Sequence, residues 1–349
     1  MGESGKPVRV VVVDDSLVAR EMLAQILSSD PDIEVVGTAS DGMQGLEMVE
    51  RLRPDLITMD IHMPVMDGLA ATERIMAYTP TPILVVSSSV HGEGIGRAFD
   101  ALAAGALDVI KKPEPKDWSD LDRIGRDVIR RVKVLSRVKV ITHIKGRRDE
   151  RAQSLPESSG RAQRTLVAIG SSTGGPSALQ TILRGLPPDL PTPVLVAQHM
   201  AEGFIPGLVA WLKTGCRMAV KPAEDGETVE PGVVYFAPAG KNLVTDGLKV
   251  RFRDPGPDQL YLPSADTLFE SVSRSHGEHA VGVILTGMGA DGAAGLKRLH
   301  DAGAATIAQD RESSTVWGMP RAAIELEAAR YILSVDDIAA EIERLVTEG

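Results

Sequence analysis

The segment "IGSSTGGP" at residues 169–176 places two serines among glycines, between an apolar run and a stretch that favours a helix. Its core, from Gly170 to Gly174, matches GxSxG, the turn on which many hydrolases present a nucleophilic serine. A glycine-rich turn before a helix also suits a bound phosphate, although no GxGxxG is present and no lysine follows the glycines as a P-loop requires. Serine chemistry, phosphate binding and a purely structural turn are therefore all open at this point.

Two further residues of the second half have the types that a nucleophilic serine needs. A base must lie within hydrogen-bonding reach of the serine, and an acid usually orients that base. His199 follows the apolar run "PVLVAQ", and Asp291 follows "AVGVILTGMGA", so each stands after a predicted strand, as Ser172 does. We expect the three side chains to meet at one edge of a parallel sheet, and Asp266 is a second candidate for the acid. The order Ser, His, Asp differs from that of α/β-hydrolases, which indicates a different fold connection.

A second set of polar residues ends the predicted strands of the first half. Asp14 and Asp15 follow the first strand, and Asp60 follows the third. Three converging carboxylates repel one another unless a cation lies among them, and Mg²⁺ prefers such oxygen ligands. Ser87 and Lys112 end the fourth and fifth strands at the same edge. The set suits phosphoryl transfer onto a carboxylate, although strand-end aspartates are also common as helix N-caps.

The elements that would position both sets are short Val/Ile/Leu runs that alternate with amphipathic stretches. Such runs are typical of parallel sheets covered on both faces, so residues 8 to about 140 predict a five-stranded, flavodoxin-like, doubly wound domain. Its last helix keeps apolar spacing from Leu121 and runs on toward Ile144. The second half predicts another doubly wound, Rossmann-like sheet, with hairpin strands around residues 233–253, where "GVVYFAP" and "LKVRFRD" flank a turn containing "TDG".

The expected fold is therefore α/β with two domains. Residues 1–145 form the first domain, and residues 165–349 form the second. Residues 146–164 lack apolar periodicity and are expected to be a linker.

Composition excludes several classes of protein. A chain of 349 residues exceeds the size at which one hydrophobic core usually keeps growing. The net charge of -10 argues against nucleic-acid binding, which depends on Lys and Arg to neutralise phosphates. No apolar run approaches the roughly 20 residues needed to span a bilayer, and "MGESGKP" lacks the apolar core of a signal peptide, so we expect no membrane insertion and a cytoplasmic location. Cys216 is the only cysteine and is expected to be a small core residue.

The acidic set of the first half is accompanied by "MPVMDGL" after Asp60 and by Pro113 after Lys112. With this pattern, the segment of roughly residues 8–135 resembles the receiver domain of two-component response regulators. The resemblance implies that Asp60 accepts a phosphoryl group from a CheA-type histidine kinase. It also implies an Mg²⁺ site and a pair of residues that sense the phosphoryl group. The Mg²⁺ site would use Asp14, Asp15, Asp60 and the backbone carbonyl of His62, and the sensing pair would be Ser87 and Lys112.

Behind this domain come, in order, "IGSSTGGP", "AQHM", "AEDGETVEPG", "PSADTLF", "GVILTGMGADGAAGL" and "GMPRAAI". The series resembles the CheB family of chemotaxis protein-glutamate methylesterases, and with the receiver the resemblance covers nearly the whole chain. It implies Ser172 as nucleophile, His199 as general base and Asp291 as the orienting acid. It also implies an oxyanion hole that includes the backbone amide of Met288, with Thr173 supporting the turn.

The reaction implied by this resemblance is hydrolysis of glutamate γ-methyl esters on methyl-accepting chemoreceptors, with release of methanol and without a cofactor. Deamidation of receptor glutamines is implied as well. The unphosphorylated receiver would cover the catalytic cleft, and phosphorylation at Asp60 would loosen that packing.

Two segments depart from the pattern of that family. Leu260, Tyr261 and Leu262 precede "PSADTLF", where basic residues are common, and Asn242 stands where a histidine is common. Drift in loops and an altered substrate or receiver interface are both compatible with these departures.

The competing function is a phosphorylation-switched regulator whose second domain binds a nucleotide or a partner without catalysis. A sensor of that kind would not need Ser172, His199 and Asp291 together. The second half also shows no obvious helix-turn-helix with a basic reading helix, which argues against DNA binding.

Overall fold

The structure is a computed structural model that describes residues 6–88, 93–114, 118–140, 164–201, 203–256, 259 and 261–348. The chain divides into two compact units, Met1–Arg147 and Arg148–Gly349. Apart from Arg164, the predicted linker lies outside the described residues.

The first unit is a five-stranded parallel sheet with the strand order β2-β1-β3-β4-β5. Its elements are β1 (Val8–Val13), α1 (Leu17–Ser28), β2 (Ile33–Ala39), α2 (Gly42–Leu52), β3 (Leu56–Met59), α3 (Gly68–Tyr78), β4 (Ile83–Ser87), α4 (Glu93–Ala103), β5 (Asp108–Lys111) and α5 (Trp118–Leu135). Strands β3 and β4 are buried along their whole length, because helices cover both faces of the sheet. The predicted five-stranded doubly wound domain is confirmed.

Helix α5 ends earlier than its apolar spacing predicts. Its last fully buried apolar side chain is Leu135, and Val138 is only partly buried in the irregular segment that follows. A helix continues only while it has an apolar face to bury, which explains the earlier end. The predicted continuation toward Ile144 lies outside the described residues.

The second unit is built on a seven-stranded parallel sheet with the strand order β14-β13-β12-β6-β7-β9-β8. Its elements are β6 (Leu166–Ser171), α6 (Gly175–Gly185), β7 (Val194–Gln198), α7 (Phe204–Lys213), β8 (Ala219–Pro222), β9 (Val233–Phe236), β10 (Asn242–Asp246), β11 (Lys249–Arg253), α8 (Ala265–His276), a 3-10 helix (Gly277–His279), β12 (Ala280–Ile284), α9 (Ala293–Asp301), β13 (Ala305–Gln309), α10 (Met319–Glu325), β14 (Tyr331–Leu333) and α11 (Val335–Thr347). Strand β6 lies between β12 and β7, so the residues that follow these three strands meet at one edge of the sheet.

The hairpin is present, but one of its predicted strands was wrong. The antiparallel pair is β10 with β11, which meet at the predicted turn containing Gly247. The "GVVYFAP" run instead supplies β9, which pairs in parallel with β7 and β8. An almost wholly buried apolar run fits a strand inside a covered parallel sheet better than a strand of a hairpin with one exposed face.

Among the described residues, no helix is both long and apolar enough to cross a membrane.

Candidate active site and phosphorylation site

Ser172 stands in the turn between β6 and α6. Its amide donates to the carbonyl of Thr286 at 3.1 Å, and its carbonyl accepts from the amide of Gly175 at 2.8 Å. The turn reaches the helix through Gly174, whose φ of 76° lies in the left-handed region where a side chain is unfavourable. Pro176 then occupies the first turn of α6, where its missing N–H costs nothing. The local sequence therefore folds as the strand, sharp turn and helix that a nucleophile elbow requires.

Gly287 leaves room for the serine. A Cβ atom at this position would lie 2.7 Å from the Cβ of Ser172 and would also collide with Met319. The Gly287 carbonyl accepts from the amides of Gly318, at 3.1 Å, and Met319, at 2.9 Å. The "TGMG" turn thus packs directly against Ser172, and the "WGMP" segment holds this turn in place.

His199 is paired with Asp291. Its Nε2 atom lies 2.7 Å from Oδ2 of Asp291, and its side chain is 6% exposed. Its Nδ1 atom is buried and has no hydrogen-bond partner among the described residues. The second ring nitrogen is therefore left as the one that can accept a proton from a substrate or from Ser172.

Asp291 binds to the N-terminus of α8. Its carboxylate accepts from the Ser264 hydroxyl at 2.8 Å and from the Ala265 amide at 2.6 Å. Although burial raises the pKa of Asp291, the hydrogen bond and charge of His199, followed by these two donors, hold that pKa below its ordinary value. The positive end of the helix dipole favours the same ionised state. Asp291 is thus an anion fixed in position beside the imidazole.

Asp266, the other candidate acid, faces a different partner. Its Oδ1 accepts from the amide of Gly295 at 2.6 Å. Burial and the neighbouring Asp291 charge raise its pKa above the ordinary value, so Asp266 is the more easily protonated of the two acids. Of the two acids, the structure brings Asp291 to His199.

Gln198 joins the serine turn to the histidine strand, and sequence reasoning missed it. Its buried Nε2 donates to the carbonyls of Ser172 and His199, each at 2.9 Å. Its Oε1 accepts from the Ser171 hydroxyl at 2.6 Å. Ser171 and Gln198 are also partners in the β6–β7 register, so one amide holds two neighbouring strand ends together. The only sequence signal was its place in "AQHM", directly before the histidine.

The Ser172 hydroxyl forms no hydrogen bond to any described residue, and Ser172 is 5% exposed. Hydrogen bonds of catalytic groups often tighten only when substrate binds, so this geometry is compatible with a nucleophile at rest. The carbonyl of Thr173 accepts from the Thr286 hydroxyl at 3.0 Å, which ties the serine turn to the end of β12. Met288 is nearly buried in the neighbouring turn, and no described residue accepts a hydrogen bond from its amide.

The first unit carries the acidic cluster that the strand ends predict. Carboxylate oxygens of Asp14, Asp15 and Asp60 lie within 4.8 Å of one another. The Nζ atom of Lys112 lies 2.9 Å from Asp14 and 3.0 Å from Asp60. Ser87 ends the adjacent strand, and its carbonyl accepts from the Lys112 amide at 3.0 Å. The predicted residues therefore share one edge, and the set of hard oxygen donors fits Mg²⁺.

The electrostatics of this cluster are coupled. Burial raises the pKa of Asp60, and the charge of Asp14 adds to this effect, while Lys112 opposes it. Although burial lowers the pKa of Lys112, the hydrogen bond to Asp14 and the charge of Asp60 raise it above its ordinary value. Lys112 is thus a fixed cation at the carboxylate that the sequence singles out for phosphorylation. His62 is exposed directly after Ile61.

Comparisons with known proteins match both halves of the chain to known families. The CheB methylesterase family matches residues 167–342, and the response regulator receiver domain family matches residues 10–119. A protein-glutamate methylesterase/protein-glutamine glutaminase of Anaeromyxobacter dehalogenans is 45% identical over 97% of each chain. The chain belongs to the CheB family. A CheB relative of the same name from Geobacter metallireducens is 46% identical over 98% of this chain and 99% of its own. The crystal structure of the Thermotoga maritima CheB methylesterase catalytic domain matches 53% of this chain and all of its own, with 37% identity and a TM-score of 0.50.

The two departures from the CheB pattern both lie at the candidate active site. Asn242 is buried and donates to Gln259, and the Tyr261 ring stacks on His199. Leu260 lies outside the described residues.

Proposed function

We propose that this protein is a serine esterase that hydrolyses glutamate γ-methyl esters on methyl-accepting chemoreceptors and also deamidates receptor glutamines. The observation that carries the proposal is the pairing of His199 with Asp291 at the sheet edge where β6 presents Ser172. Membership of the CheB family supports the substrate class, because its curated relatives are named for these two activities. Receptors that control motility and receptors of another chemosensory pathway are equally compatible with this chemistry.

The proposed mechanism begins with the Ser172 hydroxyl. Its oxygen attacks the γ-carbonyl carbon while Nδ1 of His199 takes its proton, and Asp291 stabilises the imidazolium through Nε2. The amide of Met288 stabilises the developing oxyanion, and Thr173 supports the turn. One preorganised donor of this kind contributes about 2.7–4 kcal/mol.

The tetrahedral intermediate then expels methoxide, which takes the proton from His199 and leaves as methanol. Water attacks the remaining acyl-serine ester as His199 again accepts a proton. The bond to the Ser172 oxygen then breaks, His199 returns the proton to this oxygen, and the glutamate carboxylate is released. A glutamine substrate follows the same path with ammonia as the leaving group. These steps use only a hydroxyl, an imidazole, a carboxylate and an amide of the chain, so we propose that the esterase needs no cofactor.

We infer that phosphorylation at Asp60 regulates this esterase. A carboxylate oxygen of Asp60 would form a bond to phosphorus as the bond to the histidine of a CheA-type kinase breaks. Asp14, Asp15, Asp60 and the backbone carbonyl of His62 would hold Mg²⁺. The ion, when bound, would neutralise charge on the transferring group. Lys112 and Ser87 would then bind the phosphoryl oxygens.

The unphosphorylated receiver is proposed to inhibit the esterase. Removal of residues 1–145 is then expected to raise the basal rate of methanol release above that of the unphosphorylated full-length protein. An unchanged or lower basal rate in a folded fragment would contradict this inhibitory role.

The experiment that tests the proposed function is methanol release from methylated receptor membranes, with and without acetyl phosphate and Mg²⁺. Release that rises with the phosphodonor supports a regulated esterase. A full-length protein that releases no methanol under either condition would support a second domain that only binds. We also propose a cytoplasmic location, which cell fractionation would test.

A further inference from the structure

Asn242, one of the departures from the CheB pattern, contacts Gln259, which directly precedes the other departure, residues 260–262. Asn242 and Gln259 form a reciprocal amide pair, in which Nδ2 of Asn242 donates at 2.9 Å and Nε2 of Gln259 donates at 2.8 Å. The second proton of the Gln259 amide goes to the carbonyl of Tyr261 at 3.0 Å. Drift in two independent loops would not by itself join their polar groups in this way.

The same amide pair also reaches the acid of the site. Oδ1 of Asn242 accepts from the amide of Ser264 at 2.9 Å. The hydroxyl of Ser264 in turn donates to Asp291, which pairs with His199. Asn242 thus supports the helix end on which the catalytic carboxylate rests.

Tyr261 connects this hydrogen-bonded network to the face of the His199 imidazole. Its ring stacks on His199 with centroids 4.9 Å apart and planes inclined by 11°. Its hydroxyl lies beside the Met288–Gly289 turn, because a Cβ atom at Gly289 would come within 2.7 Å of it. Tyr261 also lines a groove of about 660 Å³ together with Asp266, Asp291 and Leu326. The phenol ring therefore packs against the base and forms part of the wall of this groove.

We propose that Tyr261 is a positioning residue for His199, held in place by the Asn242–Gln259 amide pair. This inference rests on the proposed function. One hydrogen bond, at Nε2, leaves the imidazole free to rock about that contact, and Nδ1 has no described partner to stop it. A parallel aromatic neighbour restricts that motion and keeps water in the groove away from the ring face. The replaced family residues and the stacked tyrosine form one connected support for the base.

We expect the ring, rather than the hydroxyl, to carry this role. Two substitutions at Tyr261 distinguish the contribution of the ring from that of the hydroxyl. Tyr261→Phe keeps the stacked face and is expected to retain kcat within about twofold. Tyr261→Leu removes it and is expected to lower kcat about tenfold, the size of a lost aromatic pair, with little change in KM. Tyr331→Leu is the matched control, since Tyr331 begins β14 and has no described contact with the site. Thermal melting of each variant separates loss of positioning from loss of folding.

Gln259→Ala provides a second test that keeps the ring. It is expected to lower kcat in the wild type and to cost less in a Tyr261→Leu background, because the part of the effect that acts through the ring cannot be lost twice. Should Tyr261→Leu fail to fold, Gln259→Ala can instead be introduced into the wild type and into Tyr261→Phe. It is expected to lower kcat by the same factor in both, because both keep the aromatic ring.

All variants are assayed as full-length protein on methylated receptor membranes beside the wild type. A wild type without methanol release would reject the proposed esterase itself. An active wild type with a folded Tyr261→Leu of unchanged kcat would overturn the positioning role alone. An equal loss in Tyr261→Phe and Tyr261→Leu would also overturn it, because the hydroxyl would then be the important group.

Discussion

The Nε2 atom of His199 lies 2.7 Å from Oδ2 of Asp291, so the mechanism proposed above assigns Nδ1 rather than Nε2 to the proton of Ser172. In the chymotrypsin arrangement the two nitrogens have the opposite assignment. The difference is consistent with a fold in which the base follows a parallel strand adjacent to the one that carries the serine. The proposed mechanism therefore uses the other nitrogen of the ring.

Replacement of Asp291 should lower the rate far more than replacement of Asp266. Asp291→Asn removes the charge that stabilises the imidazolium, and a loss in kcat of about 10⁴-fold is expected by analogy with other triads. Asp266→Asn is the matched control, because its amide oxygen can still accept from Gly295 and it does not contact His199. Steady-state kcat and KM for both variants measure the difference. A larger loss in Asp266→Asn would reverse the assignment of the acid.

Asp266→Asn should also stabilise the protein at pH values above the raised pKa of Asp266. The folded-state pKa of Asp266 is raised above its ordinary value of 3.8, chiefly by burial. Between 3.8 and that raised pKa the folded state binds more protons than the unfolded state, so stability falls as the pH rises through this window. The asparagine has no charge to bury and can still donate toward Asp291.

Chemical unfolding at several pH values tests this effect. The variant should be more stable than the wild type at pH values above the window, and the difference should shrink as the pH falls toward 3.8. A difference that is the same at every pH would show that the titration of Asp266 is not its cause.

Gln198 should matter for both stability and rate. Gln198→Met keeps the length of the side chain but withdraws the donor from the carbonyls of Ser172 and His199. A buried group left without a partner costs about 1–3 kcal/mol of unfolding free energy, and kcat should fall because the two strand ends lose their shared contact. Ser171→Ala, which removes only one hydrogen bond to Gln198, should show a smaller loss in both measurements. If Gln198→Met retained the full kcat, the Gln198 amide would have no role in positioning.

Stimulation by a phosphodonor should depend on Asp60 and on a divalent cation. Asp60→Asn should keep the basal rate of methanol release but lose all stimulation by acetyl phosphate, and chelation of Mg²⁺ should have the same effect on the wild type. Stimulation that persists in Asp60→Asn would place the regulatory site elsewhere.

Most of the fold follows from the sequence, because continuous apolar strands alternate with amphipathic helices in both halves. The placement of Ser172, His199 and Asp291 follows as well, since residues after parallel strands share one edge. The choice between Asp291 and Asp266 does not, because both flank the same helix end and only distances separate them. The run "GVVYFAP" was wrongly assigned to the hairpin. A strand of a covered parallel sheet is packed on both faces and a hairpin strand often on only one, and the sequence of the run does not show which case applies.

The supporting residues were the hardest to predict. Gln198, Ser264 and Gln259 act through side-chain hydrogen bonds between segments that are distant in sequence. Single-sequence patterns report periodicity along the chain and carry little information on such pairs. Asn242 and Tyr261 were noticed only as departures from a family pattern, and their mutual connection is visible only in three dimensions.

Methanol release by Ser172→Ala tests the central claim most directly. The neighbouring variant Ser171→Ala is the matched control, because it removes a hydroxyl from the adjacent residue, at the end of β6, without removing the proposed nucleophile. We predict that folded Ser172→Ala loses nearly all release from methylated receptor, by about 10⁶-fold or to the detection limit, while Ser171→Ala still releases methanol measurably. Release by Ser172→Ala at the wild-type rate would contradict the account.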